Sequence, residues 1–252
     1  MSNPVFLSLV FHNHQAVGNF DFVNQRGYEV AYLPIVTLLE RHPSIRVGMH
    51  FSGSLLEWLA AHEPDFLARV KALVKRGQVE ILTGGYYEPV LVALPDADKH
   101  GQIQKLTAAI HKLFDTEPKG VWLAERVWDP YLAKPLAEAG AQYAIVDDTH
   151  FEAVGFDKER DLFGYYVTEE QGHRLAVFPS LTHLRYSIPW GTVEDNINWL
   201  RHLAGQGDAN RRPRLAFMAD DGDKFGGWPG TWEHNWGEGN YMHKLFSALD
   251  ES

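Results

Sequence analysis

The sequence predicts an α/β fold built on parallel strands. Three observations predict it. Short, β-rich apolar runs alternate with amphipathic helical patterns along the 252-residue chain. The runs are continuously apolar instead of alternating with polar residues, as expected of strands covered on both faces. Unusual polar residues follow the runs, where the C-terminal ends of parallel strands would gather them at one mouth. Such alternation gives right-handed βαβ units, closed into a barrel or open as a doubly wound sheet, and the residues alone leave both arrangements open.

Candidate strands in chain order are Val5–Phe11, Arg46–Phe51, Val79–Thr83, Gly120–Leu123, Tyr143–Val146, Leu175–Phe178 and Leu215–Met218. Helices lie between them. Tyr32–Glu40 carries Leu33, Val36 and Leu39 on one side. Asp65–Lys75 carries Phe66, Val70 and Leu73 and closes on Arg76-Gly77, a basic last turn followed by a C-terminal glycine. Asp96 or Asp98 is expected to cap a helix reaching Phe114. Tyr131–Ala139 ends at Gly140 in the same manner, and Thr192–Leu203 and Tyr241–Leu249 are further helices. Glu169-Glu170-Gln171-Gly172, between Tyr165-Tyr166-Val167 and Leu175-Ala176-Val177, reads as a hairpin. Gly205–Arg214 is polar and reads as a surface loop. No domain boundary stands out, so 1–252 is read as one domain.

Composition excludes several classes. A net charge of −10 argues against a nucleic-acid partner, because phosphate binding needs clustered Lys and Arg. The absence of cysteine removes disulfide scaffolds, cysteine nucleophiles and thiolate metal sites, and fits a reducing compartment. No apolar run reaches membrane-spanning length, and Met1-Ser2-Asn3-Pro4 lacks the basic start of a signal peptide. The expectation is a soluble, cytoplasmic protein, with a homo-oligomer left open.

The polar clusters are His12-Asn13-His14-Gln15, Gly84-Gly85-Tyr86-Tyr87-Glu88-Pro89, Ala124-Glu125-Arg126-Val127-Trp128, Asp147-Asp148-Thr149-His150 and Asp220-Asp221-Gly222-Asp223. Five of the eight Trp fall in two short segments, Trp122/Trp128 and Trp228/Trp232/Trp236, beside acidic residues. Clustered Trp and carboxylates point to a sugar-stacking cleft, with core packing as the competing explanation. His12 and His14 alternate along a strand end and can point the same way. They either hold a metal together with Asp148 or Asp220, or bind sugar hydroxyls. Glu125 is either a reacting carboxylate or the ion partner of Arg126. Gly84-Gly85 reads as a turn letting the chain approach a ligand, not a phosphate loop. Asp147 and Asp148 either orient the site or cap the next segment. The residues do not decide which of Asp220 and Asp221 faces the cleft.

With these segments in view, the chain resembles glycoside hydrolase family 57, the α-amylase and 4-α-glucanotransferase family, over essentially its whole length. Four of that family's five signature segments are matched. They are His12-Asn13-His14-Gln15, with Ala16 where Pro is usual; Gly84-Gly85-Tyr86-Tyr87-Glu88-Pro89; Trp122 to Trp128; and Asp220 to Gly226, with Asp223 where Glu is usual. The resemblance implies a (β/α)7-type barrel and a retaining reaction on α-1,4-glucosidic bonds, without cofactor or metal. It implies Glu125 as nucleophile and Asp221 as general acid/base. His12, His14, Glu88, Trp122 and Trp228 are then sugar contacts, with Asp220 placed beside them. The substrate implied is an α-glucan or maltooligosaccharide. Retaining cleavage needs the two carboxyl groups about 5–5.5 Å apart, so Glu125 and Asp221, distant in sequence, must meet across the mouth.

The family normally continues past the fourth segment with a further barrel strand and a helical region carrying the fifth. The expectation is therefore a barrel incomplete at its C-terminus. The alternatives are a non-catalytic, amylase-like glucan-binding protein and a metal-dependent polysaccharide deacetylase using His12, His14 and an Asp.

Overall fold

The computed structural model describes residues 4–206 and 213–251. Its eight strands are β1 (Val5–Asn13), β2 (Val47–Phe51), β3 (Val79–Gly84), β4 (Gly120–Trp122), β5 (Tyr143–Asp147), β6 (Tyr166–Glu170), β7 (His173–Ser180) and β8 (Arg214–Asp221). They form one sheet in the order β6-β7-β5-β4-β3-β2-β1-β8. All neighbouring pairs are parallel except β6–β7. That antiparallel pair is the expected hairpin, turned at Gln171-Gly172, both with positive φ.

Seven parallel strands thus lie in cyclic sequence order, and the two ends of that run, β7 and β8, meet without a regular ladder. The backbone N–H of Leu181, just past β7, donates to the carbonyl of Phe217 at 2.8 Å. The buried Ser180 hydroxyl accepts from the N–H of Ala219 at 3.0 Å and donates to its carbonyl at 3.2 Å. The further strand expected after Asp221 has a counterpart already in place, since β8 is itself the seventh parallel strand.

The α-helices are α1 (Asp21–Gly27), α2 (Leu33–Arg41), α3 (Gly53–His62), α4 (Pro64–Lys75), α5 (Asp96–Phe114), α6 (Ala133–Glu138), α7 (Asp148–Glu152), α8 (Thr182–Ser187), α9 (Val193–Gly205), α10 (Thr231–Asn235) and α11 (Tyr241–Asp250). Helix α2 starts with a proline in its first turn and buries Ile35, Val36, Leu38 and Leu39. Helix α4 stops at a basic turn and a left-handed Gly77. Helix α9 is capped by Thr192, whose side chain accepts from the N–H of Asp195. Helix α5 departs from expectation. Pro95 occupies the cap without a side-chain bond, while Asp96 in the first turn pairs with Lys99 at 2.8 Å. The helix expected over Tyr131–Ala139 opens as a 3₁₀ turn capped by Asp129. Helices α1, α3, α7, α8 and α10 were not expected. They are short or, like α3, too uniformly apolar to show a stripe. The loop read at Gly205–Arg214 lies mostly outside the described residues.

Two apolar layers hold the fold. Outward-facing strand residues such as Phe11, Met49, Phe51, Ile81 and Met218 join the helices in the main core. Inward-facing Val10, Leu82, Trp122, Ile145, Phe217 and Ala219 fill the barrel. Both strand faces are therefore covered, which explains the unbroken apolar runs. No helix of the described residues is long and apolar enough to cross a membrane.

Candidate active site

Strand parity builds the site. Val10, Phe217, Ala219 and Ile145 point into the barrel, so the residues two further on, His12, Asp221 and Asp147, follow them inward at the C-terminal ends. The register sets His12 level with His50 of β2 on one side and with Asp221 of β8 on the other. Asp220 has the opposite parity and stands level with Phe11.

Loops supply the rest, and three non-glycine site residues have left-handed backbones: Glu88 (φ 54°), Glu125 (φ 55°) and Arg126 (φ 54°). Each such conformation costs about 1–3 kcal/mol and needs surrounding structure to hold it. For the Glu88 loop, Tyr86 donates to Glu57 at 2.6 Å, the N–H of Tyr87 donates to Gln102 at 3.0 Å, and Lys105 lies over the Tyr86 ring at 3.9 Å. Gly84 is required here. A Cβ would stand 2.8 Å from Nε2 of His50 and 2.9 Å from the carbonyl of Trp122. The close approach expected of Gly84-Gly85 is thus to the site's own framework.

These elements enclose a cleft of about 390 Å³ lined by His12, His14, Gln15, Ala16, Val17, Ser54, Tyr87, Glu88, Trp122, Ala124, Glu125, Arg126 and Asp221. The His12 ring stacks on Trp122 (centroids 4.3 Å apart) and on His14 (4.8 Å). Its Nε2 lies 3.2 Å from Oε1 of Glu88, within ion-pair distance but off hydrogen-bond alignment. Burial holds the His12 pKa well below its ordinary value, helped by His50, His14 and Arg126. Burial, then the charges of Asp221 and Glu125, push Glu88 up to about 8. Burial raises Asp221 too, with Asp220 and Asp223 adding to it and Arg126 and His14 opposing. No ion pair engages Glu125 among the described residues.

Arg126 pairs with Asp147, not with Glu125. Its Nε donates to Asp147 at 2.9 Å, and a chain of alternating charge runs on from there. Arg185 bonds Asp147 at 3.2 Å and Asp220 at 3.3 Å, and Lys224 bonds Asp220 at 2.7 Å. Asp220, expected among the sugar contacts, is consumed in this chain and does not line the cleft, because its parity carries it outward. Trp228 does not line the cleft either. It sits 39% exposed on the loop before α10, whose start its carbonyl holds through Thr231. Asp148 caps α8, accepting from the N–H and hydroxyl of Thr182 at 2.7 and 2.6 Å. Of the expected residues, the cleft therefore unites His12, His14, Glu88, Trp122, Glu125 and Asp221.

Sequence reading missed His50, Ser54 and Arg185, and gave Gln15, part of the first polar cluster, no role. His50 had one available signal, a histidine at the end of an apolar strand run. Two donor sets approach closely enough to be considered for a cation, His12/His14/Asp221 and His12/His50/Glu88, each with atoms within 4.8 Å. They share His12, so one excludes the other. Zinc bonds of about 2.0–2.2 Å would require the wider separations to close.

Alpha-amylase 1 of Dictyoglomus thermophilum is 48% identical over 252 residues, covering 100% of this chain and 36% of that protein. The 4-alpha-glucanotransferase of Thermococcus litoralis is 44% identical over 238 residues, covering 94% of this chain and 35% of that protein. The crystal structure of the 4-alpha-glucanotransferase from Thermococcus litoralis superposes with a TM-score of 0.94 at 42% identity, covering 100% of this chain and 38% of that one. The chain spans about a third of the length of these relatives. With the same barrel, at this identity, and with residues 8–252 matching the model of glycosyl hydrolase family 57, the chain belongs to that family.

Proposed function

We propose that the chain, as one barrel domain, carries the reaction centre of a retaining enzyme that cleaves or transfers α-1,4-glucosidic bonds. One observation carries the reading. Two carboxyl groups, Glu125 and Asp221, line the same cleft, neither held in an ion pair among the described residues, and Asp221 has its proton affinity raised. Glu125 attacks the anomeric carbon while Asp221 protonates the departing glycosidic oxygen. Water or a sugar hydroxyl then attacks the glycosyl-enzyme ester, giving its proton to Asp221. His12, His14, Glu88 and the Trp122 ring contact the sugar on the side of the bond that becomes covalent. The substrate is an α-glucan or maltooligosaccharide, and the cysteine-free composition fits a cytoplasmic location.

Maltooligosaccharides incubated with the protein under chelator test this by product chromatography. Longer and shorter products together mean transfer, and shorter ones alone mean hydrolysis. Glu125→Gln is expected to lose about 10³-fold or more of turnover while oligosaccharide binding survives. Turnover unchanged in that variant would remove Glu125 from the reaction. The donor set His12/His14/Asp221 keeps a second reading, a metal-dependent deacetylase. Stoichiometric zinc in the purified protein, with activity lost under chelator, would favour it.

A further inference from the structure

The barrel holds one fully buried histidine for which the reaction above has no use. His50 ends β2, is 0% exposed, and places its Nδ1 2.8 Å from Nδ1 of His12. Burial keeps both rings neutral, pushing His50 down to about 3 and His12 well below its ordinary value. Each ring then carries one proton, so at this contact one Nδ1 donates and the other accepts.

The surroundings distinguish the two arrangements. Were His12 the donor, the single proton of His50 would sit on Nε2, a buried atom with no partner. Gly84 packs directly against that nitrogen. A buried N–H without an acceptor is rarer than a bare lone pair. With His50 as donor, the orphaned nitrogen is only an unused acceptor. His12 then carries its proton on Nε2, facing Oε1 of Glu88 at 3.2 Å. The poor alignment there is of the kind that tightens when a substrate binds.

We infer that His50 is a positioning residue. Its Nδ1–H holds His12 in the Nε2–H tautomer, and that N–H fixes Oε1 of Glu88, leaving the other carboxyl oxygen to meet a sugar hydroxyl in the cleft. The proton positions follow from the burial of both rings together with the geometry, while the sugar as the group received rests on the function proposed above. The arrangement is the logic of an outer partner that sets the tautomer of a working imidazole.

Histidine-selective ¹⁵N NMR of the chain tests it, with His12 assigned from a His12→Gln variant. The expected spectrum shows His12 protonated on Nε2 and bare on Nδ1, and the reverse overturns the inference. His50→Phe keeps an aromatic ring, slightly larger, and removes the donor. In it His12 is expected to drift to a tautomer mixture, and KM for maltooligosaccharides to rise about tenfold with kcat changed far less. His50→Asn, whose amide donates from the Nδ1 position, is expected to recover most of the lost KM. A folded His50→Phe with the His12 tautomer intact would overturn the proposal. Should His50→Phe not fold, the wild-type and His50→Asn spectra still decide. A wild type without glucan turnover would remove the function proposed above, and the NMR result would judge His50 regardless.

Discussion

Glu88 makes a single side chain visible in the stability of the whole domain. Its carboxyl rises from 4.5 to about 8 in the fold, mainly through burial, so between those values the folded protein keeps a proton that the unfolded chain has lost. Stability from this group is full below 4.5 and drains as pH climbs through 8. His12 and His50 act on the other flank. Their lowered pKa values cost stability as pH falls below 6.5, where the unfolded histidines bind protons. From pH 6.5 to 8 the contribution of Glu88 is read as the difference from a Glu88→Gln variant. Across that interval, the unfolding free energy of the wild type should fall about 2 kcal/mol further than that of Glu88→Gln, measured by urea titration at both pH values. Equal slopes would mean that Glu88 is ionised inside the cleft. The residues of the cleft were largely legible in sequence because buried polar groups at strand ends are conspicuous. The choice between Asp220 and Asp221 was not legible. Strands apolar on both faces show no alternation, so Phe217-Met218-Ala219 does not reveal which parity is inside.

At the scale of elements, the charged chain from Arg126 to Lys224 ties the β4 loop, β5, α8 and β8 together behind the cleft. Asp220 is its hinge point, 4% exposed and bonded to two cations. A buried pair contributes little net stability when formed, but removing one member strands the other. Asp220→Asn leaves Lys224 buried without its counter-ion and Arg185 with Asp147 alone. The expected cost is about 3–5 kcal/mol, read from the midpoint of urea unfolding. A loss below about 1 kcal/mol would mean that water or a deprotonated Lys224 relieves the charge. This chain was beyond sequence reading. Arg185 lies on a six-residue helix without periodicity, and Lys224 follows the aspartates in a turn. Their partnership is purely spatial. Helices α2 and α4 were legible because each carries an apolar stripe, whereas α3, apolar nearly all round, was not.

For the whole molecule, the decisive feature is how the two ends of the parallel run, β7 and β8, meet. Alternating strands and helices fit an open sheet or a barrel equally well, and only contacts between β7 and β8 separate them. These rest on Leu181 bonding Phe217 and on Ser180 bonding both backbone groups of Ala219. A serine at the end of an apolar strand carries no sequence signal for such a role, so closure became an expectation only through family resemblance. Ser180→Ala leaves the N–H and carbonyl of Ala219 unpaired in a dry seam, at about 1–3 kcal/mol for each group. The loss should be local before it is global. Amide exchange at Ala219 and Asp221 is expected to accelerate well ahead of exchange in β1–β3, since seam opening needs no unfolding of the paired strands. Asp221 lies two residues from the seam, so the variant should also lose glucan turnover at temperatures where the rest of the barrel stays folded. Uniform acceleration across all strands would instead mean that β7 and β8 open only with the whole domain, and that the regular ladders already hold the barrel shut.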